Sequence, residues 1–144
     1  MLYGGLSGRT GEAGLRALSD VVRPLGYSVV PVRVTGCLHL KSAACALDEE
    51  TVLINREWVD VDSFAGLRQV DVPSLEPFGA NVLGLYGSVL VSSAFPQTAD
   101  FVRRLGYKVV MVDVSELHKA ESGVTCMSLI VPGVHLPAAE PDAR

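Results

Sequence analysis

Two segments of the chain repeat one order of polar and apolar positions: a stretch with helical spacing, a glycine, and a run of β-branched residues. In the first segment the apolar positions recur every three or four residues, on one face of a helix: Leu15, Leu18, Val22 and Leu25. Thr10 and Glu12 stand where a helix cap and a first-turn acid belong. Gly26 can adopt the left-handed conformation that ends a helix. The run 27–34 then predicts a strand buried on both faces.

The same pattern returns 80 positions later. Residues 22–34 recur as residues 102–114 with nine of the thirteen positions identical, more than a shared preference for valine produces. The second copy has its own glycine, Gly106, its own strand at 107–114, and its own helix face: Thr98, Phe101, Val102 and Leu105. The chain is therefore organised by an internal repeat.

The segment between the two copies is rich in short apolar runs, which predict further strands at Thr51–Ile54, Leu67–Val72, Val82–Tyr86 and Val89–Val91. A shorter helix fits at 60–65, which gives a weaker middle unit. The sequence therefore predicts an α/β fold built from about three strand-helix-strand-strand units. Such units stack around an axis and need neighbours to cover their faces, so an open arc of three leaves apolar edges exposed.

Composition limits the class of protein. A chain of 144 residues, 49% apolar and 19% charged, suits one folded domain. We assign residues 1–136 to that domain and residues 137–144, which are small and proline-rich, to a frayed tail. The net charge of −4 and the absence of a Lys/Arg run disfavour nucleic acid and an anionic membrane as partners.

The uncharged stretch 77–99 is long enough to span a membrane, but glycines and prolines interrupt it, which favours strands and turns. The first residues lack the positive charge of a signal peptide. The cysteines are odd in number and show no Cys-x-x-Cys spacing, which argues against a disulfide framework and a zinc site: Cys37, Cys45 and Cys126. We expect a cytoplasmic protein with no metal.

A histidine and a cysteine follow matching strands of the two repeats, His39 after the first and Cys126 after the second. If the units surround an axis, both side chains can face its centre and form a catalytic pair. From spacing alone, a buried structural cysteine and a structural histidine remain the more common outcomes.

Three motifs carry a resemblance to a known family: Gly-Leu-Ser-Gly-Arg-Thr at 5–10, Leu-His-Leu-Lys-Ser at 38–42 and Gly-Val-Thr-Cys-Met-Ser at 123–128. In this order they resemble three signatures of the dimethylarginine dimethylaminohydrolases, within the amidinotransferase or pentein superfamily. The resemblance implies a five-bladed α/β propeller with the active site in its central channel. This chain would then be a partial pentein propeller, the C-terminal portion of a larger domain.

The resemblance also implies roles for single residues, without a cofactor. Cys126 is the expected nucleophile and His39 the expected general acid and base. Arg9 is expected to bind the substrate carboxylate, and the backbone carbonyl of Ala120 the substrate amino group. The implied reaction is hydrolysis of methylated arginine to citrulline and dimethylamine through a thiouronium on Cys126.

The chemistry needs these residue types. A thiolate is a strong nucleophile toward the poorly electrophilic guanidinium carbon. One imidazole can protonate the leaving amine and then deprotonate a water. A planar guanidinium on Arg9 matches a substrate carboxylate better than a lysine does.

The remaining candidate residues are expected to be structural or exposed. We expect Cys45 to pack in a hairpin strand, and Cys37, on the same strand face as His39, to pack as well. We expect His118 to face solvent within a polar insertion and His135 to lie on the surface. We interpret Lys41 and Ser42 as structural.

In full-length members of the family, the resemblance implies an N-terminal half with guanidinium-binding acids that corresponds to none of residues 1–144. We therefore expect activity to depend on a missing N-terminal half, and we expect a homo-oligomer if that half is absent. Arginine deiminase or amidinotransferase chemistry could use the same residues. The alternative from another class is a non-catalytic binding or assembly module with the pentein fold.

Overall fold

The computed structural model describes residues 1–131, which form eight strands, four α-helices and two 3-10 turns. The strands are β1 (Leu2–Leu6), β2 (Val29–Arg33), β3 (Ala44–Ala46), β4 (Thr51–Ile54), β5 (Arg68–Asp71), β6 (Leu83–Leu85), β7 (Ser88–Ser92) and β8 (Lys108–Val112). The α-helices are α1 (Glu12–Val22), α2 (Leu40–Ala43), α3 (Pro96–Arg104) and α4 (Ser115–His118), with 3-10 turns at Arg23–Leu25 and Val61–Phe64. The expected domain boundary at 136, the tail 137–144 and His135 lie outside the described residues.

The strands of residues 1–131 form three small sheets, with the strand orders β1-β2, β3-β4-β5 and β6-β7-β8. In the second and third sheets an antiparallel hairpin is followed by a parallel strand. In every sheet a helical segment joins the two parallel strands. This segment is α1 in the first sheet, the 3-10 turn 61–64 in the second and α3 in the third. The α/β class and the repeated unit predicted from the sequence are therefore confirmed. The closure of such units about an axis stays a prediction.

The two repeated helices end as the sequence predicts. Gly26 and Gly106 have φ angles of +83° and +97°, in the left-handed region where glycine is favoured. The start of α1 differs from the prediction, because Gly11, in extended conformation, is the cap residue in place of Thr10, and no side chain caps the helix. Glu12 does lie in the first turn.

The burial predicted for the repeated strands is wrong. In β2 only Val32 is buried, and in β8 every residue is at least partly accessible. Both strands lie at the edge of their sheets, whereas β4, between two neighbours, is buried throughout. Apolar composition identified the strands, but their burial is decided by how many neighbours each strand has.

The core consists of two clusters of apolar side chains that meet at β4. Successive residues of a strand point to opposite faces of its sheet, so Leu53 enters one cluster while Val52 and Ile54 enter the other. The first cluster packs the second sheet against the third sheet and α3, and the second cluster packs it against β2. Within residues 1–131, no helix is long and apolar enough to cross a membrane.

Candidate active site

A cavity of about 740 Å³ opens among loops from several parts of the repeat, a volume typical of small-molecule pockets. The loop after β1, the loop after β2, and the segment after α4 all reach it. Its lining residues are Arg9, Cys37, Leu38, His39, Ser42, Phe78, Asn81, Phe95, His118, Ala120, Glu121, Ser122 and Gly123. Three of the four residues expected in the site from the sequence thus line one cavity: Arg9, His39 and Ala120.

The loop that carries Arg9 is fastened to the loop that carries His39. The Ser7 hydroxyl donates to the carbonyl of Leu38 at 2.7 Å and accepts from the backbone N–H of Arg9 at 3.2 Å. Ser7 therefore holds the first motif beside the second. The Arg9 side chain itself is exposed at the cavity, where its charge is available to a carboxylate.

His39 lies in a loop, and the predicted continuation of the strand through Cys37 and His39 is wrong. β2 ends at Arg33, and Val34 makes an isolated bridge to Val59 before the chain turns toward α2. His39 occupies the residue before that helix and is exposed to the cavity. The turn requires Gly36, because a side chain at this position would collide with the indole ring of Trp58.

Cys37 lines the cavity close to His39. Its thiol donates to the carbonyl of His39 at 3.2 Å. Burial raises the pKa of the Cys37 thiol above its ordinary value, so the neutral thiol is favoured at this position. A neutral thiol is a weak nucleophile, which makes Cys37 the poorer candidate for covalent chemistry.

Cys126 lies in a turn just after the cavity-lining residues Ser122 and Gly123, and it is itself not among the lining residues. Its side chain is exposed. The Nδ2 atom of Asn81, which does line the cavity, is 3.5 Å from the Cys126 Sγ. The sulfur is therefore at the edge of the cavity and accessible.

Cys45 packs as the sequence predicts. It lies in β3 against the first core cluster, and its thiol donates to the carbonyl of Lys41 at 3.3 Å. Burial raises the pKa of Cys45 to about 11, so it is a neutral thiol at physiological pH. Of the three cysteines, Cys126 is the exposed one.

The expectation that His118 faces solvent is wrong. The polar insertion forms the short helix α4, and His118 at its end is half-buried. The His118 ring packs on the Phe95 ring, with the ring centroids 5.6 Å apart. Glu121 also lines the cavity, in a left-handed conformation with a φ of +55°. The sequence carried no signal for these positions beyond their closeness to Cys126.

Two curated proteins are similar to this chain in sequence. The dimethylarginine dimethylaminohydrolase of Streptomyces coelicolor is 42% identical over 129 residues, which is 89% of this chain and 49% of the relative. That of Pseudomonas aeruginosa is 34% identical over 127 residues, which is 88% of this chain and 50% of the relative. The chain therefore spans about half the length of the curated relatives it matches. No protein-family model matches the chain.

Solved structures show the same likeness. A histidine-to-glycine variant of a dimethylarginine dimethylaminohydrolase, as an adduct with S-methyl-L-thiocitrulline, matches with a TM-score of 0.79 and 32% identity over 87% of this chain and 49% of that chain. Fold and sequence agree: over about half of their length, the dimethylarginine dimethylaminohydrolases, proteins of the amidinotransferase or pentein superfamily, are similar to this chain.

Proposed function

We propose that this chain supplies the nucleophile, the acid/base and the carboxylate-binding arginine of an enzyme that hydrolyses dimethylarginine to citrulline and dimethylamine. The observation that carries the proposal is the meeting of the three motif segments around one cavity. Arg9, His39 and the segment before Cys126 come from distant parts of the chain, and a merely structural role for each gives no reason for their convergence.

The first half of the proposed reaction forms a covalent intermediate. The Cys126 thiolate attacks the guanidinium carbon and gives a tetrahedral adduct. The bond from that carbon to the dimethylated nitrogen then breaks, and His39 donates the proton that lets the nitrogen leave as dimethylamine. A thiouronium remains on the Cys126 sulfur.

The second half releases the product. His39, now neutral, takes a proton from a water that attacks the thiouronium carbon. The bond from carbon to sulfur breaks with its electron pair going to the sulfur, the remaining hydroxyl proton passes to solvent, where dimethylamine takes it up, and citrulline leaves with the oxygen on its carbon. Cys126 returns to the thiolate and His39 to its protonated form, so the cycle needs no cofactor.

Arg9 and Ala120 hold the amino-acid end of the substrate in this proposal. The Arg9 guanidinium forms paired hydrogen bonds with the substrate carboxylate, and the Ala120 carbonyl accepts from the substrate ammonium. Fixing this end of a flexible side chain raises the effective concentration of the guanidinium at the sulfur. An adduct between S-methyl-L-thiocitrulline and a histidine-to-glycine variant of a relative supports covalent chemistry at such a site.

We propose that the guanidinium-binding carboxylates come from the half of the relatives' length that this chain does not cover. Of the described residues that line the cavity, Glu121 is the one carboxylate. Carboxylates beside the guanidinium orient it and favour its cationic, more electrophilic form. The chain by itself is then a poor enzyme, and a complementary segment completes the site.

The cytoplasm is the compartment that we propose. Cys37, Cys45 and Cys126 are all free thiols in the structure. A catalytic thiolate persists in a reducing compartment, where disulfides are rare.

The second candidate, a non-catalytic binding or assembly module, is favoured by two observations. Cys126 lies beside the cavity and is absent from its lining, and the carboxylate pair expected around a guanidinium is absent from the described lining residues. In this interpretation the cavity binds a ligand through Arg9 without turning it over.

The test is citrulline release from dimethylarginine by the 144-residue chain, alone and combined with the other half of the Streptomyces relative, fused or as a separate chain. We expect little turnover by the chain alone and clear turnover by the combined protein. Cys126→Ser and His39→Ala should abolish it, whereas Cys45→Ala, a control on a cysteine outside the cavity, should leave it intact. Failure of the combined protein on every guanidino substrate would favour the binding module.

A further inference from the structure

Asn81 is a buried polar residue, with 7% of its surface exposed, in the segment before β6. Its Nδ2 donates to the carbonyl of Lys41 at 3.0 Å and lies 3.5 Å from the Cys126 sulfur. Its Oδ1 accepts from the backbone N–H of Thr125 at 3.1 Å. One side chain amide thus has polar contacts to two segments that are far apart in sequence.

Both segments belong to the proposed active site. Lys41 lies in α2, two residues after His39, and Thr125 immediately precedes Cys126. The amide therefore bridges the segment of the acid/base and the segment of the nucleophile. A shift of Asn81 changes the separation between the imidazole and the sulfur.

We propose that Asn81 is a positioning residue that holds Cys126 and His39 in a fixed relation and presents an N–H to the sulfur. The inference rests on the proposed function, because it assigns Asn81 a part in that reaction. An N–H donor near a sulfur favours its anionic form, and charge-assisted hydrogen bonds are stronger than neutral ones. Fixed geometry between the two groups is what covalent attack requires.

Asn55 shows what a purely structural asparagine looks like in the same fold. It is equally buried, at 6%, and its amide also bridges backbone groups, donating to the carbonyl of Pro77 at 3.1 Å and accepting from the N–H of Glu57 at 3.1 Å. Its side-chain amide contacts neither a sulfur nor a segment next to His39 or Cys126. Its backbone N–H donates to the carbonyl of Ala43 in α2, a bond that a side-chain substitution leaves in place. Asn55 is therefore a matched control for burial and for hydrogen bonding.

Gly123, in the motif of the nucleophile, leaves room for the Asn81 amide. A side chain carbon at position 123 would lie 2.5 Å from Asn81 Oδ1 and 2.7 Å from its Cγ. The Asn81 side chain can therefore be displaced without being changed, by Gly123→Ala.

The test compares the rate at which iodoacetamide labels Cys126 in the 144-residue chain and its variants, read by mass spectrometry of the peptides. Asn81→Asp keeps the size and the acceptor for Thr125, but it replaces the N–H that faces the sulfur with a carboxylate oxygen. We expect labelling to slow by about tenfold or more, the effect of losing a hydrogen bond to a charged group. Asn55→Asp should change the rate less than about twofold, since it meets no sulfur.

Gly123→Ala is the second variant, and we expect it to slow the labelling of Cys126 as Asn81→Asp does. Labelling of Cys45, which packs in the core, reports a loss of the fold in either variant. In the enzyme completed by the other half of a relative, both variants should lower kcat while KM stays near its original value. A merely structural asparagine does not produce this split between kcat and KM.

Equal labelling rates in Asn81→Asp and Asn55→Asp would overturn the positioning role and leave the proposed function standing. Rapid labelling of Cys45 in both Asn81→Asp and Gly123→Ala, with Asn55→Asp intact, would assign Asn81 to the fold and overturn the proposal as well. If Cys126 of the unaltered chain reacts no faster than Cys45, the proposed function fails, and the positioning role fails with it.

Discussion

At the scale of single residues, the cysteines show how one functional group acquires different properties in one fold. Cys126 is exposed beside an amide N–H, Cys37 is half-buried at the cavity, and Cys45 packs in the core. Burial raises the pKa of both Cys37 and Cys45, and it outweighs the hydrogen bonds that lower it. Accessibility and nearby donors, rather than residue type, decide which thiol is suited to nucleophilic attack.

The raised pKa of Cys45 predicts a loss of stability at high pH. Below the ordinary value of 9.0 the thiol is neutral in the folded and the unfolded chain. Between pH 9 and about 11 the unfolded chain ionises Cys45 while the folded chain does not, so stability falls as the pH rises. A pKa difference of about two units between the unfolded and the folded chain lowers the free energy of unfolding by at most about 2.7 kcal/mol.

Urea denaturation of the chain at about pH 8.5 and about pH 10.5 measures this effect, because the first lies just below the ordinary thiol pKa of 9.0 and the second just below the raised value of about 11. Cys45→Ala should show a smaller fall in the free energy of unfolding between the two pH values. Tyr107, whose pKa is also raised by burial, contributes in the same direction and accounts for part of the fall that remains. An identical fall in the variant and the unaltered chain would contradict the assignment to Cys45.

Sequence motifs pointed to the candidate site residues but not to their surroundings. Arg9, His39 and Cys126 were found because rare residue types stand in ordered motifs. Asn81 was missed, because an asparagine in an apolar stretch indicates only a turn, and its contacts to Lys41 and Thr125 depend on folding over long distances. No local pattern encodes such contacts.

At the scale of secondary structure elements, α3 shows a cap supplied from far away in sequence. Phe95, before the helix, makes no side-chain cap. The buried carboxylate of Glu76 accepts instead from the N–H groups of Gln97 at 2.9 Å and Thr98 at 2.7 Å, and from the Thr98 hydroxyl at 2.7 Å. A negative charge at a helix N-terminus is favoured by the helix dipole and by the free N–H groups there.

Glu76→Gln is therefore expected to destabilise the chain by about 1–3 kcal/mol, because the amide places an N–H donor against backbone donors and removes the charge. The free energy of unfolding in urea measures the change. Glu57→Gln, the same substitution at an exposed position, is the control and should be nearly neutral. If the two variants are equally stable, the remote cap does not contribute to α3.

The positions of most strands and helices could be predicted from sequence, whereas their burial could not. β4 lies at the predicted residues, and β5 and β6 lie within the predicted ranges. The repeated strands look alike in sequence, yet Val32 in β2 is buried while its counterpart Val112 in β8 is half-exposed. Propensity is a property of the segment, but burial is a property of its neighbours.

At the scale of the whole molecule, the two copies of the repeat have different surroundings. Val102 of α3 is fully buried in the first core cluster, whereas its counterpart Val22 in α1 is half-buried. Phe101 packs against that cluster, whereas its counterpart Val21 is 69% exposed. Tyr107 donates a hydrogen bond to Asp48 of the preceding unit, whereas the equivalent Tyr27 is exposed. In the second copy of the repeat, the preceding unit covers the corresponding face of α3. In the first copy, the same face of α1 is left exposed.

The exposed α1 face predicts self-association of the chain when it is alone. Light scattering should show species larger than a monomer at a chain concentration of roughly tens of micromolar, which is on the order of the dissociation constant of a weak complex. Val21→Lys should reduce them, since it places a charge on the apolar face. Glu12→Lys, on the opposite side of the helix, is the control, and adding the other half of a relative should give one defined complex. A stable monomer in every case would contradict this account.

The central claim is that Cys126 attacks a guanidinium-type carbon and His39 handles the protons. S-methyl-L-thiocitrulline separates these roles, because its thiol leaving group departs without a proton, whereas hydrolysis of the resulting adduct needs a base. His39→Gly in the completed protein should therefore accumulate an adduct.

The most direct measurement is peptide mass spectrometry of the completed His39→Gly protein after exposure to S-methyl-L-thiocitrulline. The account predicts a stable adduct on the peptide that carries Cys126, and none in the double variant His39→Gly with Cys126→Ser. An adduct on Cys37 or Cys45 instead, or no adduct while the analogue is still consumed, would contradict it.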